Sequence, residues 1–131
     1  MPARFDHIAL YVSHLPKSFV FYQKLFGLEE IPNPYPEGKH WLRIGPELEL
    51  HLVEGMPAQW GECRNHISFS VPDLDVLTGV LREMGIKWSD FQGGEGKMRL
   101  RPDGVRQLYF KDPDGYWVEV NDKGKPLLSE N

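Results

Sequence analysis

The residues best suited to chemistry are two histidines that occupy the same place in two similar stretches of the sequence. FDHIALYV, residues 5 to 12, aligns with NHISFSV, residues 65 to 71, so that His7 meets His66. Each stretch is followed by a helical pattern that stops at a glycine. Two copies of one unit indicate an internal duplication, with a histidine kept at the equivalent position of both copies.

Both histidines fall on the face of their strand that lies opposite an apolar row. Side chains alternate between the two faces of a strand, so Ile8, Leu10 and Val12 share one face and His7 lies on the other. The second copy places His66 opposite an apolar row in the same way. If helices cover the apolar faces, both imidazoles face a concave surface or an interface.

The closing hairpins of the two copies also align, with LHL at residues 50 to 52 over VEV at residues 118 to 120. His51 is therefore the counterpart of Glu119. Glu49 shares the face of His51 and is the alternative residue at that position. A lone inward histidine is more often structural than ligating. Here all four residues lie on the strand faces opposite the apolar rows, and this shared alternation favours a ligand cluster. The predicted metal ligands are His7, His51, His66 and Glu119.

Three imidazoles and one carboxylate suit a single divalent ion, with Zn, Ni, Co, Fe and Mn all compatible. Such an ion acts as a Lewis acid that polarises a carbonyl or stabilises an enediolate or alkoxide. Glu119 is the candidate catalytic residue, because a ligating carboxylate can also dissociate and serve as a general base.

Each half of the chain is predicted to contain a strand, a helix and then up to three strands, which indicates an α+β class. The helices are expected from Pro16 to Phe26 and from Leu74 to Met84, with Asp73 as an N-cap. The later strands are expected at residues 28–31, 40–44, 48–53, 88–91, 107–111 and 116–121. The glycine-rich segment 93–97 is expected to be mobile, and the polar tail, residues 123–131, to be frayed.

Composition narrows the possible partners of the chain. A length of 131 residues suits one domain, and a net charge of −4 without a basic stripe argues against nucleic acid. No apolar run is long enough for a membrane span, and the N-terminus lacks a secretory h-region. Cys63 is the single cysteine, which is compatible with a reducing cytoplasm. A cytoplasmic protein without a nucleic-acid or membrane partner is therefore expected.

The chain resembles the vicinal oxygen chelate superfamily, which holds glyoxalase I, fosfomycin-resistance proteins, extradiol dioxygenases and bleomycin-resistance proteins. The segments that carry the resemblance are DHIALYV, KSFVFYQKLFGLEE, LHLVE, NHISFSV and DPDGYWVEV. The resemblance implies one glyoxalase-like domain over residues 1–131, made of two βαβββ modules at about 4–55 and 64–122. It implies a cupped mixed β-sheet around a metal, with helices on the outer face, often in a homodimer. The family's metal positions fall on the four residues identified above.

The resemblance favours a metal-dependent lyase or isomerase of glyoxalase type that acts on a small carbonyl or hydroxyl substrate. One departure is His51, because glyoxalase I members usually carry Glu or Gln there. The alternatives are a fosfomycin-type thiol transferase, a small ring-cleaving dioxygenase and a drug-sequestering protein of bleomycin-resistance type. The predicted substrate-binding residues are Tyr11, Trp41, Arg101, Arg106 and Trp117.

Overall fold

A computed structural model describes residues 1–35 and 37–124 and divides the chain into two compact units, Met1–Gln59 and the residues from Trp60 onward. Pro36 and most of the polar tail, residues 125–131, lie outside the described residues. Within the described part of the chain, no helix has the length and apolar character needed to cross a membrane.

The first unit is a βαβββ module with a four-stranded mixed sheet. Its elements are β1 (His7–Val12), α1 (Leu15–Phe26), β2 (Glu29–Ile31), β3 (Lys39–Ile44) and β4 (Leu48–Glu54). Strand β1 pairs in parallel with β4, and the remaining pairs are antiparallel, which gives the order β1-β4-β3-β2.

The second unit repeats this topology. Its elements are β5 (His66–Ser70), α2 (Leu74–Glu83), β6 (Arg99–Leu100), β7 (Arg106–Lys111) and β8 (Trp117–Asn121). The strand order is β5-β8-β7-β6, again with one parallel pair, between β5 and β8. The predicted α+β class and the two βαβββ modules with mixed sheets are confirmed.

Strand register confirms the duplication that the sequence predicted. Ala9 lies opposite His51 in the first unit, and Ser68 lies opposite Glu119 in the second. On the next strand, Trp41 is the partner of His51 and Tyr109 is the partner of Glu119. His51 and Glu119 therefore occupy equivalent places in equivalent sheets.

The apolar rows are buried as the alternation predicts. Leu10, Val12, Leu50 and Leu52 are 2% exposed or less, and α1 packs against β3 and β4. In the second unit, Val118 and Val120 are fully buried, as are Leu74 and Leu81 of α2. Burying these side chains in each unit is the main favourable contribution to its stability.

Both helices begin and end on local signals in the sequence. The side chain of Asp73 accepts hydrogen bonds from the backbone N–H groups of Asp75 and Val76, as expected for the N-cap of α2. The imidazole of His14 caps α1 by accepting from the N–H of Lys17. Gly27 ends α1 at φ 61°, a left-handed conformation that glycine adopts without a Cβ penalty.

The segment 88–91 differs from the predicted strand. Ser89 alone pairs with Tyr109, through two backbone hydrogen bonds of 2.9 and 2.8 Å, and the chain then leaves the sheet. The side chain of Asp90 causes this turn because it accepts from the N–H groups of Gln92 and Gly94. The fourth strand of the unit is instead Arg99–Leu100.

The glycine-rich segment 93–97, which was expected to be mobile, is closed by backbone hydrogen bonds. Gly96 donates to the carbonyl of Trp88 at 2.8 Å, and Lys97 donates to the carbonyl of Gly94 at 3.1 Å. The glycines serve here as turn residues, with Gly93 at φ 85° and Gly96 at φ 70°.

Candidate metal centre

Two of the predicted ligands, His7 and His51, lie against each other in the first unit. Their ring centroids are 4.0 Å apart with the planes inclined by 17°. On its other side, His51 stacks on Trp41 at 3.8 Å with the planes 3° apart. The imidazole of His51 is thus held between an indole and a second imidazole, and the residue is only 7% exposed.

The hydrogen bond of His7 leaves one nitrogen of its ring without a proton. Its Nδ1 lies 2.6 Å from Oδ2 of Asp6. An ionised carboxylate can only accept, so Nδ1 carries the proton and Nε2 keeps its lone pair. A ligating histidine is commonly fixed in this way by a carboxylate on its other nitrogen.

His51 has the opposite arrangement, because its Nε2 lies 2.9 Å from Oε1 of Glu49. The proton is therefore on Nε2, and only Nδ1 has a free lone pair. Imidazole lone pairs lie in the ring plane, so nearly parallel rings 4.0 Å apart do not direct both lone pairs at one ion. The orientation of His51 is therefore less favourable for ligation than that of His7, although both residues were predicted as ligands from the sequence.

His66 in the second unit reproduces the arrangement of His7 with a different partner. Its Nδ1 donates to the backbone carbonyl of Cys63 at 2.6 Å, which leaves the Nε2 lone pair available. Asn65, the counterpart of Asp6, lacks a carboxylate, and the carbonyl takes its place. Equivalent histidines in the two units are thus fixed in the same tautomer.

Glu119 lies in a polar network that the sequence analysis did not identify. Tyr109 donates to its Oε1 at 3.0 Å, and Ser68 and Asn121 donate to its Oε2, Asn121 at 3.4 Å. The hydroxyl of Tyr109 in turn accepts from Nε2 of Gln107 at 3.2 Å, which directs its own proton to Glu119. These donors fix the orientation of a carboxylate that is 9% exposed.

Tyr109 remains a hydrogen-bond donor over the whole physiological range. Burial raises the pKa of its phenol well above the ordinary value of 10, and the negative charge of Glu119 raises it further. A clue to this network was present in the sequence, because Ser68 and Ser70 lie on the same strand face as His66.

The donor chemistry of both units fits a divalent ion. Each unit supplies a histidine with a fixed tautomer and a free Nε2, and the second unit adds an oriented carboxylate. Across residues 1–35 and 37–124, no three His, Cys, Asp or Glu side chains form a group that could hold an ion. The joint use of all four predicted ligands therefore remains a prediction.

The aromatic candidates for substrate binding lie on the sheet faces that carry the predicted ligands. Tyr11 is 54% exposed on the face of His7, and it packs closely over Gly55, where an added Cβ would lie 2.7 Å from its ring. Trp41 packs on His51. Trp117 donates its indole N–H to the carbonyl of Gly61 at 2.9 Å.

The two candidate arginines are not brought to Glu119. Arg101 forms an ion pair with Asp103 at 2.7 Å in the turn after β6. Arg106 shares its strand face with the core residue Leu108 and bonds Asp122 at 3.2 Å. Since Glu119 is on the opposite face of this sheet, the geometry gives Arg106 a structural role.

Comparison with known proteins identifies the family. The family model of the Glyoxalase/Bleomycin resistance protein/Dioxygenase superfamily matches residues 4–120. Glyoxylase I 4 of Arabidopsis thaliana is 32% identical over 126 residues, covering 88% of this chain and 68% of that protein.

Metallothiol transferase FosB of Shouchella clausii is 30% identical over 120 residues, covering 88% of this chain and 77% of that protein. The solved structure of Oxidase ChaP-H2 matches all of both chains at 24% identity with a TM-score of 0.77, a likeness of fold. The family thus includes enzymes that differ in their reactions. The extent of the family match shows that this chain belongs to the Glyoxalase/Bleomycin resistance protein/Dioxygenase superfamily.

Proposed function

We propose that the chain is a divalent-metal-dependent lyase or isomerase of glyoxalase type that acts on a small carbonyl or hydroxyl substrate. His7, His66 and Glu119 would hold the ion, with His51 as a fourth ligand once its ring turns. The observation that carries the proposal is the shared tautomer of His7 and His66. Each donates a hydrogen bond through Nδ1, which leaves the lone pair of Nε2 free for a metal ion. Zn, Ni, Co, Fe and Mn all suit this donor set.

When bound, the ion would supply Lewis-acid polarisation of a substrate oxygen. The residues of the chain would orient the substrate and move its proton. Glu119 is the base of this proposal, and Tyr109 and Ser68 hold its two oxygens in place. If Oε1 of Glu119 accepts a proton from the substrate, it becomes a hydrogen-bond donor. The hydroxyl of Tyr109 must then rotate and accept from it, so the network suits a Glu119 that is protonated only transiently.

A fosfomycin-type thiol transferase is the second candidate, and the similarity to Metallothiol transferase FosB favours it. That reaction requires cationic groups for a phosphonate. Arg101 and Arg106, the arginines predicted to bind an anion, are both paired with carboxylates. These two arginines therefore give no support to the thiol transferase reaction.

An assay of metal-loaded protein on three substrate types distinguishes the reactions. The proposal predicts turnover of a hemithioacetal and its loss in Glu119→Gln, which keeps the size of the side chain. Thiol addition to fosfomycin would establish the second candidate, and catechol cleavage would establish a dioxygenase. Tight binding of an aromatic drug without turnover of any substrate would contradict an enzymatic role.

The protein is also proposed to act as a homodimer, as the family resemblance implies. Sedimentation velocity on the full chain is expected to give twice the mass of the 15.2 kDa monomer. A monomer at micromolar concentration would contradict this expectation.

A further inference from the structure

A cavity of about 320 Å³ lies in the second unit, beside β7 and the start of β8. Trp88 and Trp117 line it together with Ile86 and Tyr109. The charged residues of the same lining are Lys87, Glu95 and Lys111. Its volume is at the lower end of the range for ligand pockets, so it suits a small molecule or one substituent of a larger one.

Trp88 lines this cavity, and its indole has an unmatched polar atom. Its Nε1 is buried and makes no hydrogen bond to any described residue. A buried donor without a partner costs free energy, and native proteins usually match such groups. Since this atom is buried, a ligand in the cavity reaches it only if the indole turns, so Trp88 enters the proposal through its ring.

The cavity also has a cation that the described residues leave without a carboxylate partner. The Nζ of Lys111 lies over the ring of Trp117 at 4.9 Å, and no described carboxylate forms an ion pair with it. Lys87, in contrast, pairs with Glu95 at 3.4 Å. Lys111 is therefore the group available to a ligand anion, and Trp117 offers an apolar surface beside it.

Tyr109 connects the cavity with the candidate metal centre. It lines the cavity, and its hydroxyl donates to Glu119 at 3.0 Å. The side chain of Tyr109 therefore belongs both to the cavity lining and to the hydrogen-bond network of Glu119.

We propose that this cavity binds a small aromatic carboxylate, with the ring between Trp88 and Trp117 and the carboxylate at Lys111. If the aromatic acid is one end of the enzyme's substrate, this proposal rests on the proposed function. Binding itself requires no metal and can be measured separately.

Isothermal titration of the full chain with phenylacetate, after treatment with a chelator, tests the proposal. We expect phenylacetate to bind at least tenfold more tightly than acetate or phenylacetamide. Lys111→Met keeps the aliphatic stem over Trp117, removes the charge and should weaken phenylacetate binding about tenfold. Lys24→Met, a lysine in the last turn of α1, is the matched control and should leave the affinity unchanged.

Trp88→Leu removes the aromatic ring from the cavity lining, and it should also weaken phenylacetate binding. Equal affinity for phenylacetate and acetate, or unchanged binding in Lys111→Met, would overturn the assignment. If phenylacetate binds as expected and no metal is retained, the cavity stands and the proposed metal-dependent reaction fails. If metal is retained and phenylacetate does not bind, only the cavity assignment fails.

Discussion

The ring centroids of His51 and Trp41 lie 3.8 Å apart, and the planes of the imidazole and the indole are inclined by only 3°. The two residues are register partners on adjacent antiparallel strands, so the strand pairing itself sets the stack. In the second unit the same register brings Tyr109 to Glu119, where a hydrogen bond replaces the stack. One duplicated position therefore supports an imidazole by packing and a carboxylate by hydrogen bonding.

Ring-current shifts in the NMR spectrum test the stack in solution. The carbon-bound ring protons of His51 should resonate upfield, because they lie over the face of an indole. In Trp41→Leu these resonances should move towards ordinary histidine positions, whereas Trp60→Leu should leave them in place. Trp60 is the matched control because it packs on Tyr116 in the other unit. Unshifted His51 protons in the unmodified protein would contradict the stack.

The tautomers of the three histidines should differ in the metal-free protein. Side-chain ¹⁵N spectra above the titration range of histidine should show the proton on Nδ1 in His7 and His66 and on Nε2 in His51. The reason is that each of these nitrogens faces an acceptor-only oxygen, from Asp6, Cys63 and Glu49 respectively. Glu49→Leu should remove the preference in His51 alone. The same tautomer in all three residues would argue against the assigned bonds.

Removing the hydroxyl of Tyr109 should weaken metal binding without removing a ligand. In Tyr109→Phe, Glu119 loses the donor to Oε1, and changes to residues that orient a ligand typically reduce metal affinity by about 10–100-fold. Competition titration against a chromogenic chelator measures this effect. Tyr35→Phe, at an exposed tyrosine of the first unit, is the control. Unchanged affinity in Tyr109→Phe would show that the tyrosine does not support the metal site.

Arg106→Gln should reduce stability and leave substrate binding unchanged. The side chain of Asp122 is 2% exposed, and the guanidinium of Arg106 donates to it at 3.2 Å, so the substitution leaves a buried carboxylate less well matched. The expected loss is about 1–3 kcal/mol, measured by urea unfolding. Arg4→Gln breaks an exposed pair with Glu47 at 3.5 Å and should cost about 0–1 kcal/mol. A raised KM with unchanged stability would return Arg106 to the substrate site.

Alternation and repeat alignment were sufficient to predict the α+β class and the order of elements in each half, because both follow from the pleat and from buried aliphatic rows. The βαβββ modules with a mixed sheet were implied by the family resemblance. Repeat alignment also placed His51 and Glu119 at equivalent positions, which the strand register confirms. The strand predicted at residues 88–91 was wrong because the capping of local N–H groups by Asp90 outweighs a short apolar pattern.

Side-chain pairing beyond a single strand was not accessible from the sequence. Alternation assigns a residue to a face, but the partner on the next strand depends on register. The sequence therefore could not show that Glu49 occupies Nε2 of His51, or that Tyr109 supports Glu119. Arg106 was assigned to a substrate site from its position near the last hairpin, whereas the sheet places it on the core face beside Asp122.

Metal analysis by inductively coupled plasma mass spectrometry, after equilibrium dialysis against a mixture of divalent ions, tests the central claim most directly. The account predicts one transition-metal ion per chain in the unmodified protein. It also predicts loss of that ion in the double variant His7→Ala, Glu119→Ala and its retention in the control His40→Ala, whose imidazole bonds Glu30 instead. No bound ion in the unmodified protein, or full occupancy in the double variant, would contradict the account.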